Sequence, residues 1–471
     1  MEPTFIGLDV GTQGARAILT DAQGRVLATF SEPFALTAAS REEQSPRQWW
    51  EACERLLAQI LQRPEAASLR AIGVTSTSGT VIPVDEAGNP LHPAIMYSDG
   101  RQAETGRRCK ALAEKYHPQG YTAFNTTSGL PKMVWFAEQF PEKARRTCKF
   151  IHAADFITGK LTGNFNVTDF TNVLKSGYDV TSERWPEYIW GHLPIRREWL
   201  QDVIPSGTPV GSVTANIARM PANVLVTAGM TDGCASQIAS GAVSPGAWNT
   251  TIGTTLVVKG VTEKPVHDPL GRLYNHRHPQ GFWMPGGASN TGADWISKHF
   301  PGNLAALNEA AAALVPTGKL YWPLEQPGER FPFVAPQAQA FEAPELVGAE
   351  KFAAGMEGVA YIEKMAYGLI EQLSGETVKA VYTAGGASNS NLWLRIRACV
   401  LGVPVHKMQE VSGAAGAAIL AASQTHYGSI SEAAAAMTHI DKTMLPEPGL
   451  QGAYAEGYRL FREKLKEKGY A

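Results

Sequence analysis

Phe5-Ile6-Gly7-Leu8-Asp9-Val10-Gly11-Thr12-Gln13-Gly14-Ala15-Arg16-Ala17-Ile18-Leu19-Thr20 is an apolar run, one carboxylate, a glycine-punctuated turn and a second apolar run. The pattern predicts a β-hairpin with Asp9 at the end of its first strand. The amides of Gly11 to Gly14 then face a gap that suits a phosphate. A turn at 21–25 leads to a third strand, Val26-Leu27-Ala28. Glycines 7, 11 and 14 read G-x-x-x-G-x-x-G, which is not the dinucleotide fingerprint, and the Gly-Lys-Ser/Thr ending of a P-loop is missing. Taken alone, the stretch also fits an edge hairpin with an exposed Asp.

The same pattern returns more than 200 residues later, in Trp248-Asn249-Thr250-Thr251-Ile252-Gly253-Thr254-Thr255-Leu256-Val257-Val258. Asp9-Val10-Gly11-Thr12 lines up with Thr251-Ile252-Gly253-Thr254, so the second copy carries Thr251 where the first carries its carboxylate. Two such hairpins suggest two related halves facing one another across a cleft. A chain of 471 residues has room for two cores, since a single core stops growing at roughly 250–300 residues.

Composition narrows the class. Hydrophobic residues make up 44% and charged residues 18%, as in ordinary globular proteins. The net charge of −2 comes with no long basic run, which gives no support for nucleic acid or an anionic membrane as partner. Five cysteines are scattered without a C-x-x-C pair, which argues against a disulfide framework or structural zinc and for a reducing cytoplasm. No secretion signal is expected at the N-terminus. The stretch nearest to a membrane span, Val411 to Ser423, is short and made largely of Ala and Gly. It reads as a tightly packed core helix, not a membrane span.

Between the hairpins, Ser45-Pro46 opens an amphipathic helix to about Gln62. A buried strand Leu69–Ser76 ends in the polar turn Thr77-Ser78-Gly79-Thr80. The strand Asn223–Gly229 meets Met230-Thr231-Asp232-Gly233, and helix-like residues 234–240 follow. In the second half, a long helix from about Gly355 to Leu373 precedes the strand Val378–Thr383, the turn Ala384-Gly385-Gly386-Ala387-Ser388-Asn389 and a helix over Asn391–Leu401.

Three strand-to-turn junctions thus carry polar groups that can converge: Asp9 with Gly11-Thr12, Asp232, and Gly385-Gly386 with Asn389. Ligands of open α/β sheets gather at the carboxyl ends of strands. Two carboxylates, a donor-rich turn and a diglycine that permits close approach suit phosphoryl transfer. Mg²⁺ keeps most of its waters, so one carboxylate suffices to hold it. Each residue also has a plainer reading. Asp232 fits a helix N-cap, the diglycine a tight β–α turn, Ser78 a turn former, and Trp393 either an adenine neighbour or core. Asp99 and Arg101 fit the start of a surface helix, and Gly328-Glu329-Arg330 a salt-bridged turn.

Together these stretches resemble the FGGY family of carbohydrate kinases, within the sugar-kinase, heat-shock-70 and actin superfamily. The matching pieces are Gly7-Leu8-Asp9-Val10-Gly11-Thr12, Trp49-Trp50, Tyr97-Ser98-Asp99-Gly100-Arg101, Ala228-Gly229-Met230-Thr231-Asp232, Ile252-Gly253-Thr254-Thr255, Gly328-Glu329-Arg330 and Ala384-Gly385-Gly386-Ala387. They fall in the family's order over nearly the whole chain. The resemblance implies an α/β fold of two ribonuclease-H-like, actin-like ATPase domains around a deep interdomain cleft. The sugar would bind on 1–244 and ATP on 245–471. It implies Asp232 as general base and sugar ligand, and Asp9 as the catalytic, Mg²⁺-associated carboxylate. Gly11, Thr12, Gln13, Gly253 and Thr254 would be phosphate contacts, Gly385, Gly386 and Asn389 the adenosine site, and Ser78 a sugar contact.

D-Xylulose kinases of the family carry Gln-Met-His-Gly where this chain has Ser76-Thr77-Ser78-Gly79. The stretches 77–81, 126–132, 174–178 and 328–332 resemble a D-ribulose kinase subgroup. The expected activity is therefore ATP-dependent phosphorylation of a ketopentose, D-ribulose first, at its terminal C5 hydroxyl. D-Xylulose, or another ketose or polyol such as L-ribulose or erythritol, is the alternative. An actin- or chaperone-like ATPase without a sugar acceptor is the alternative from another class. The expected partner is a small sugar, with no nucleic acid and no membrane, in a cytoplasmic protein for which a homodimer is admitted.

Overall fold

Thr4–Val10 pairs antiparallel with Gly14–Asp21, with Asp9 opposite Arg16, so the opening hairpin forms where its residues predict it. The computed structural model describes residues 2–471, which divide into two units. The first holds the chain as far as Ala239 together with His276–Gly281 and Val411–Thr438; the second holds Ser240–Asn275, Phe282–Glu410 and His439–Ala471. The single division expected at 244/245 thus leaves out two returns of the chain to the first unit.

In the first unit, Gly14–Asp21 also pairs with Val26–Pro33, while Thr4–Val10 runs parallel to Leu69–Ser76 on its other side. Leu69–Ser76 is parallel to Leu225–Thr227, which pairs antiparallel with Pro209–Ser212. In the second unit, Trp248–Ile252 pairs antiparallel with Leu256–Gly260, which pairs antiparallel with Trp283–Ser289. Trp248–Ile252 is parallel to Val381–Ala384, which is parallel to Val405–Met408, and Ile440–Met444 closes that edge antiparallel. The two sheets share one strand order and one set of directions. The echo between the two hairpins is therefore a repeat of a whole ribonuclease-H-like sheet. Its register aligns Asp9, second from the turn in its ladder, with Thr251, second from the turn in the other.

A helix precedes the parallel partner of each opening strand: Leu69–Ser76 follows Pro46–Ile60 in the first unit, and Val381–Ala384 follows Gly348–Ser374 in the second. The latter helix starts earlier than the apolar pattern suggests. In the first helix, Ser45 Oγ accepts the Gln48 amide, as its N-cap position predicts. The first unit inserts a second sheet built from Glu43–Gln44, Ala94–Ile95, Val81–Val84 and Lys149–His152, together with the helices that cover it. The sequence reads 81–84 and 91–97 as a hairpin, and Val81 pairs antiparallel with Ile95 as that reading expects. Lys149–His152 lies in the 101–220 region that reads as mostly helical, and at four residues it is too short to show a period.

The Ala/Gly segment forms the helix Gly413–Ser423, and every residue in it is buried, as expected for a helix apolar on all faces. It packs on the sheet at two glycines: a Cβ on Gly7 would collide with the Ala414 carbonyl, and one on Gly73 with that of Ala417. On another face, Gly416 meets the Ala235 backbone in the helix Asp232–Ala239. Side chains this small bring backbones to within contact. That is why a segment from late in the sequence lies inside the first unit.

Candidate active site

Three strand ends of the first unit meet at one level. Asp9 is in register with Thr75, Val10 with Ser76, and Thr231 with Ser76 on the other side. Asp9, the Ser76–Ser78 turn and Asp232 therefore share the carboxyl edge of the sheet, where ligands of such sheets collect. Asp232 begins the helix Asp232–Ala239, and its Oδ1 accepts the Gly233 amide at 2.6 Å. Thr75 Oγ1 donates to the Met230 carbonyl at 2.8 Å, and the Thr231 amide donates to Thr171 Oγ1 at 2.8 Å. Thr171 is itself held by the buried Asp169, which accepts both its amide and its hydroxyl. Burial and the neighbouring Asp155 push the Asp169 carboxyl above its ordinary value. No spacing in the sequence pointed to this support for Asp232.

The environment of Asp9 is unusual. Burial first, and Asp232 second, push its pKa up to about 7, against the pull of Arg16 across the ladder. Its Oδ1 is enclosed and accepts no hydrogen bond. Gly413 stands against the other oxygen: a Cβ there would lie 2.6 Å from Asp9 Oδ2. The start of the helix Gly413–Ser423 thus abuts the carboxylate, and a helix N-terminus favours the ionised form by about 0.3–1 kcal/mol. Gly413 was not among the expected site residues, because nothing local ties it to Asp9.

Gly11, Thr12 and Gln13 form the turn after Asp9. The Gly11 amide donates to the Gly14 carbonyl at 3.0 Å, so this amide closes the turn and does not face a gap. Gln44 Nε2 donates to the Thr12 carbonyl at 3.0 Å, and the buried Trp49 indole N–H fixes Gln44 Oε1 at 3.0 Å. Thr12 Oγ1 reaches Tyr97 Oη at 3.4 Å. The first of the paired tryptophans is therefore a brace for this turn.

Ser78 Oγ, Ser76 Oγ and Asn172 Oδ1 are enclosed without hydrogen-bond partners. Buried polar atoms are nearly always paired, so these atoms, with Asp9 Oδ1, mark where a polar ligand would fit. Gly79, at φ +78°, packs against the Thr127 carbonyl, with Lys175 Cδ close by. Lys132 is fully buried and donates to the Thr126 and Ser128 carbonyls. Burial lowers its pKa to about 7, while Asp99 pulls the other way. Three stretches singled out by resemblance, 77–81, 126–132 and 174–178, thus meet around Gly79.

Asp99 does not start a surface helix. It is fully buried and accepts from the Arg101 guanidinium and from Gln102 Nε2. The helix Ala103–Tyr116 begins beyond it.

In the second unit, the Gly253 amide closes its turn on the Thr255 carbonyl at 3.1 Å, and Thr254 is exposed. Gly385 has φ +88°, and a Cβ on it would lie 2.6 Å from the Ile252 carbonyl oxygen. Only glycine fits between the two strand ends. Gly386 has open space where a Cβ would be, and both glycines and Asn389 are exposed. Asn389 lines a cavity of about 470 Å³ with Asn308, Arg395 and Met444. Trp393 is core: it is buried and packs edge-on against Trp295 at 6.3 Å.

Arg397 Nε and Nη2 each donate to Glu363 at 2.7 Å, and Nη1 to Thr383 Oγ1 at 2.7 Å. Thr383 in turn donates to the Thr250 carbonyl, so one buried network ties together the two strands that end in Gly253 and Gly385. The Glu329 carboxylate is buried and accepts from Ser289, Asn290, Thr291 and Arg330. The 328–333 loop thus belongs to the second unit and is no salt-bridged turn.

A repeated sheet with a carboxylate pair at one strand edge and a glycine-lined strand edge in its second copy defines a two-domain phosphotransferase. Residues 4–239 match the N-terminal domain, and residues 248–425 the C-terminal domain, of the FGGY family of carbohydrate kinases. The chain belongs to that family. A xylulose kinase of Bacillus subtilis (strain 168) is 26% identical over 445 residues, 88% of this chain and 87% of that protein. One from Streptomyces rubiginosus is 29% identical over 293 residues, 60% of this chain and 59% of that protein. A crystal structure described as a xyloylose kinase from Brucella ovis superposes with a TM-score of 0.87 at 22% identity, covering 99% of both chains. Among the described residues, no helix is long and apolar enough to cross a membrane.

Proposed function

We propose that the chain transfers the terminal phosphoryl group of ATP to a hydroxyl of a ketopentose. The enclosed, unpartnered Asp9 Oδ1 beside Asp232 carries this reading. Asp232 orients the acceptor hydroxyl and takes its proton. Ser78 Oγ binds another sugar hydroxyl. Gly11, Thr12 and Gln13 hold phosphate from the first unit, Gly253 and Thr254 from the second, and Gly385, Gly386 and Asn389 hold the adenosine. Asp9 suits Mg²⁺, which takes oxygen ligands and needs few from protein. When bound, the ion supplies neutralisation of phosphate charge.

The relatives named xylulose kinase favour D-xylulose as acceptor over the D-ribulose expected from sequence. D-Ribulose is the second reading and rests on one observation. Ser78, with its unpartnered hydroxyl, stands where D-xylulose kinases carry a His. Coupled ADP release with D-xylulose, D-ribulose, L-ribulose and erythritol decides between them. We expect one ketopentose to dominate in kcat/KM. A flat response to every sugar overturns the kinase reading.

A further inference from the structure

A cavity of the first unit, about 1130 Å³, contains none of Asp9, Ser78 or Asp232. It is framed by the end of the helix Ala103–Tyr116, the 178–192 region and the strand Asp202–Ile204. Its walls are aromatic. Tyr116 stacks on His192 at 4.0 Å, Tyr178 meets Trp185 edge-on at 5.2 Å, and Arg197 lies 5.6 Å over Trp190.

Polar groups in these walls lack partners. Gln201 is 2% exposed, and its Nε2 donates to the Phe165 and Val167 carbonyls. Its Oε1 is enclosed and accepts nothing. The Tyr178 and Tyr188 hydroxyls make no hydrogen bond among the described residues. Burial pushes the Tyr178 pKa up to about 12, which keeps that hydroxyl a donor. Charges of both signs line the rim, Arg184 and Arg197 against Glu187 and Asp202.

We propose that this cavity is a second, non-catalytic site that takes a saccharide of two or more rings. Aromatic faces suit the C–H faces of sugar rings. Sugar hydroxyls both donate and accept, so they suit the tyrosine hydroxyls and a rim of mixed charge together, which an apolar ligand would leave unpaired. An anion would meet Glu187 and Asp202. The volume exceeds the ~300–1,000 Å³ usual for small-molecule pockets, more than a single ring fills.

The test uses the full chain, titrated with xylobiose, cellobiose, maltose and sucrose by calorimetry and tryptophan fluorescence. We expect saturable binding of at least one disaccharide at one site per chain, unchanged in Asp232→Ala. Binding should weaken about 10-fold or more in Trp190→Ala, while Trp190→Ala keeps the parent's ketopentose kinase rate. Tyr178→Phe removes one hydroxyl and leaves the fold intact, so it serves if Trp190→Ala does not fold; it should weaken binding about 3- to 10-fold. The proposal is overturned if none of the disaccharides binds. It is equally overturned if binding disappears in Asp232→Ala, or survives both cavity variants at full strength. Because binding is read without turnover, failure of the kinase reading and failure of this one are distinguishable.

Discussion

At the residue scale, two carboxylates with different surroundings share one strand edge. Asp232 heads a helix and is held by Thr171 through the backbone before it; Asp9 is enclosed and pushed up to about 7. If Asp232 is the base, Asp232→Ala should keep ATP binding and lower sugar-dependent kcat by about 100- to 10,000-fold. Calorimetry with ATP and ADP-release kinetics measure the two parts, and a retained kcat would exclude the assignment. For Asp9 the sign follows from its raised pKa. Unfolded, the group ionises near the ordinary value of about 3.9; folded, it holds its proton to about 7. The native state therefore binds more protons across that window, and this group's contribution to stability falls as pH rises from about 4 to 7. Asp9→Asn should unfold at higher urea than the parent at pH 8, by up to a few kcal/mol at about 1.4 kcal/mol per pH unit. The two should match at pH 4. The same variant should be inactive, which a structural carboxylate would not require.

At the element scale, the helix Gly413–Ser423 decides how close the carboxylates come. It rests on Gly7 and Gly73, touches the Asp232 helix through Gly416, and sets Gly413 against Asp9. Gly7→Ala forces a methyl into the Ala414 carbonyl, backbone against backbone, where no side chain can rotate away. The expected loss is at least about 1–3 kcal/mol in urea unfolding. Activity should fall by more than that loss implies, because the helix start moves relative to Asp9. A Gly7→Ala protein with parental stability and turnover would show that this contact is unimportant. The sequence shows a helix of Ala and Gly but not its mate. A helix without an apolar stripe names no face, and Gly7 and Gly73 signal only that something approaches.

At the scale of the whole molecule, one sheet design appears twice, and only the first copy keeps the carboxylate, with Thr251 in register where Asp9 would be. The division of the chain is not a single cut, since Val411–Thr438 belongs to the first unit. Residues 2–244 expressed alone should lack cooperative unfolding, because Gly7 and Gly73 then face water without their helix. Joining 411–438 by a flexible linker should restore a cooperative transition, seen by circular dichroism in urea. Cooperative unfolding of 2–244 alone would contradict this placement.

The sequence by itself determined the elements that local patterning dictates. The two hairpins, the strand-to-turn junctions at Asp9, Asp232 and Gly385, and the family all follow from short runs whose apolar period and glycines act within a few residues. The tertiary structure alone decided what depends on contacts between distant segments. The Ala/Gly helix reaches Asp9 from more than 400 residues away. Asp99 is buried, Trp393 is core, and the Glu329 loop belongs to the second unit. The physical reason is that burial, and the pKa it shifts, depends on what packs around a side chain, and a linear pattern records only a residue's own neighbours.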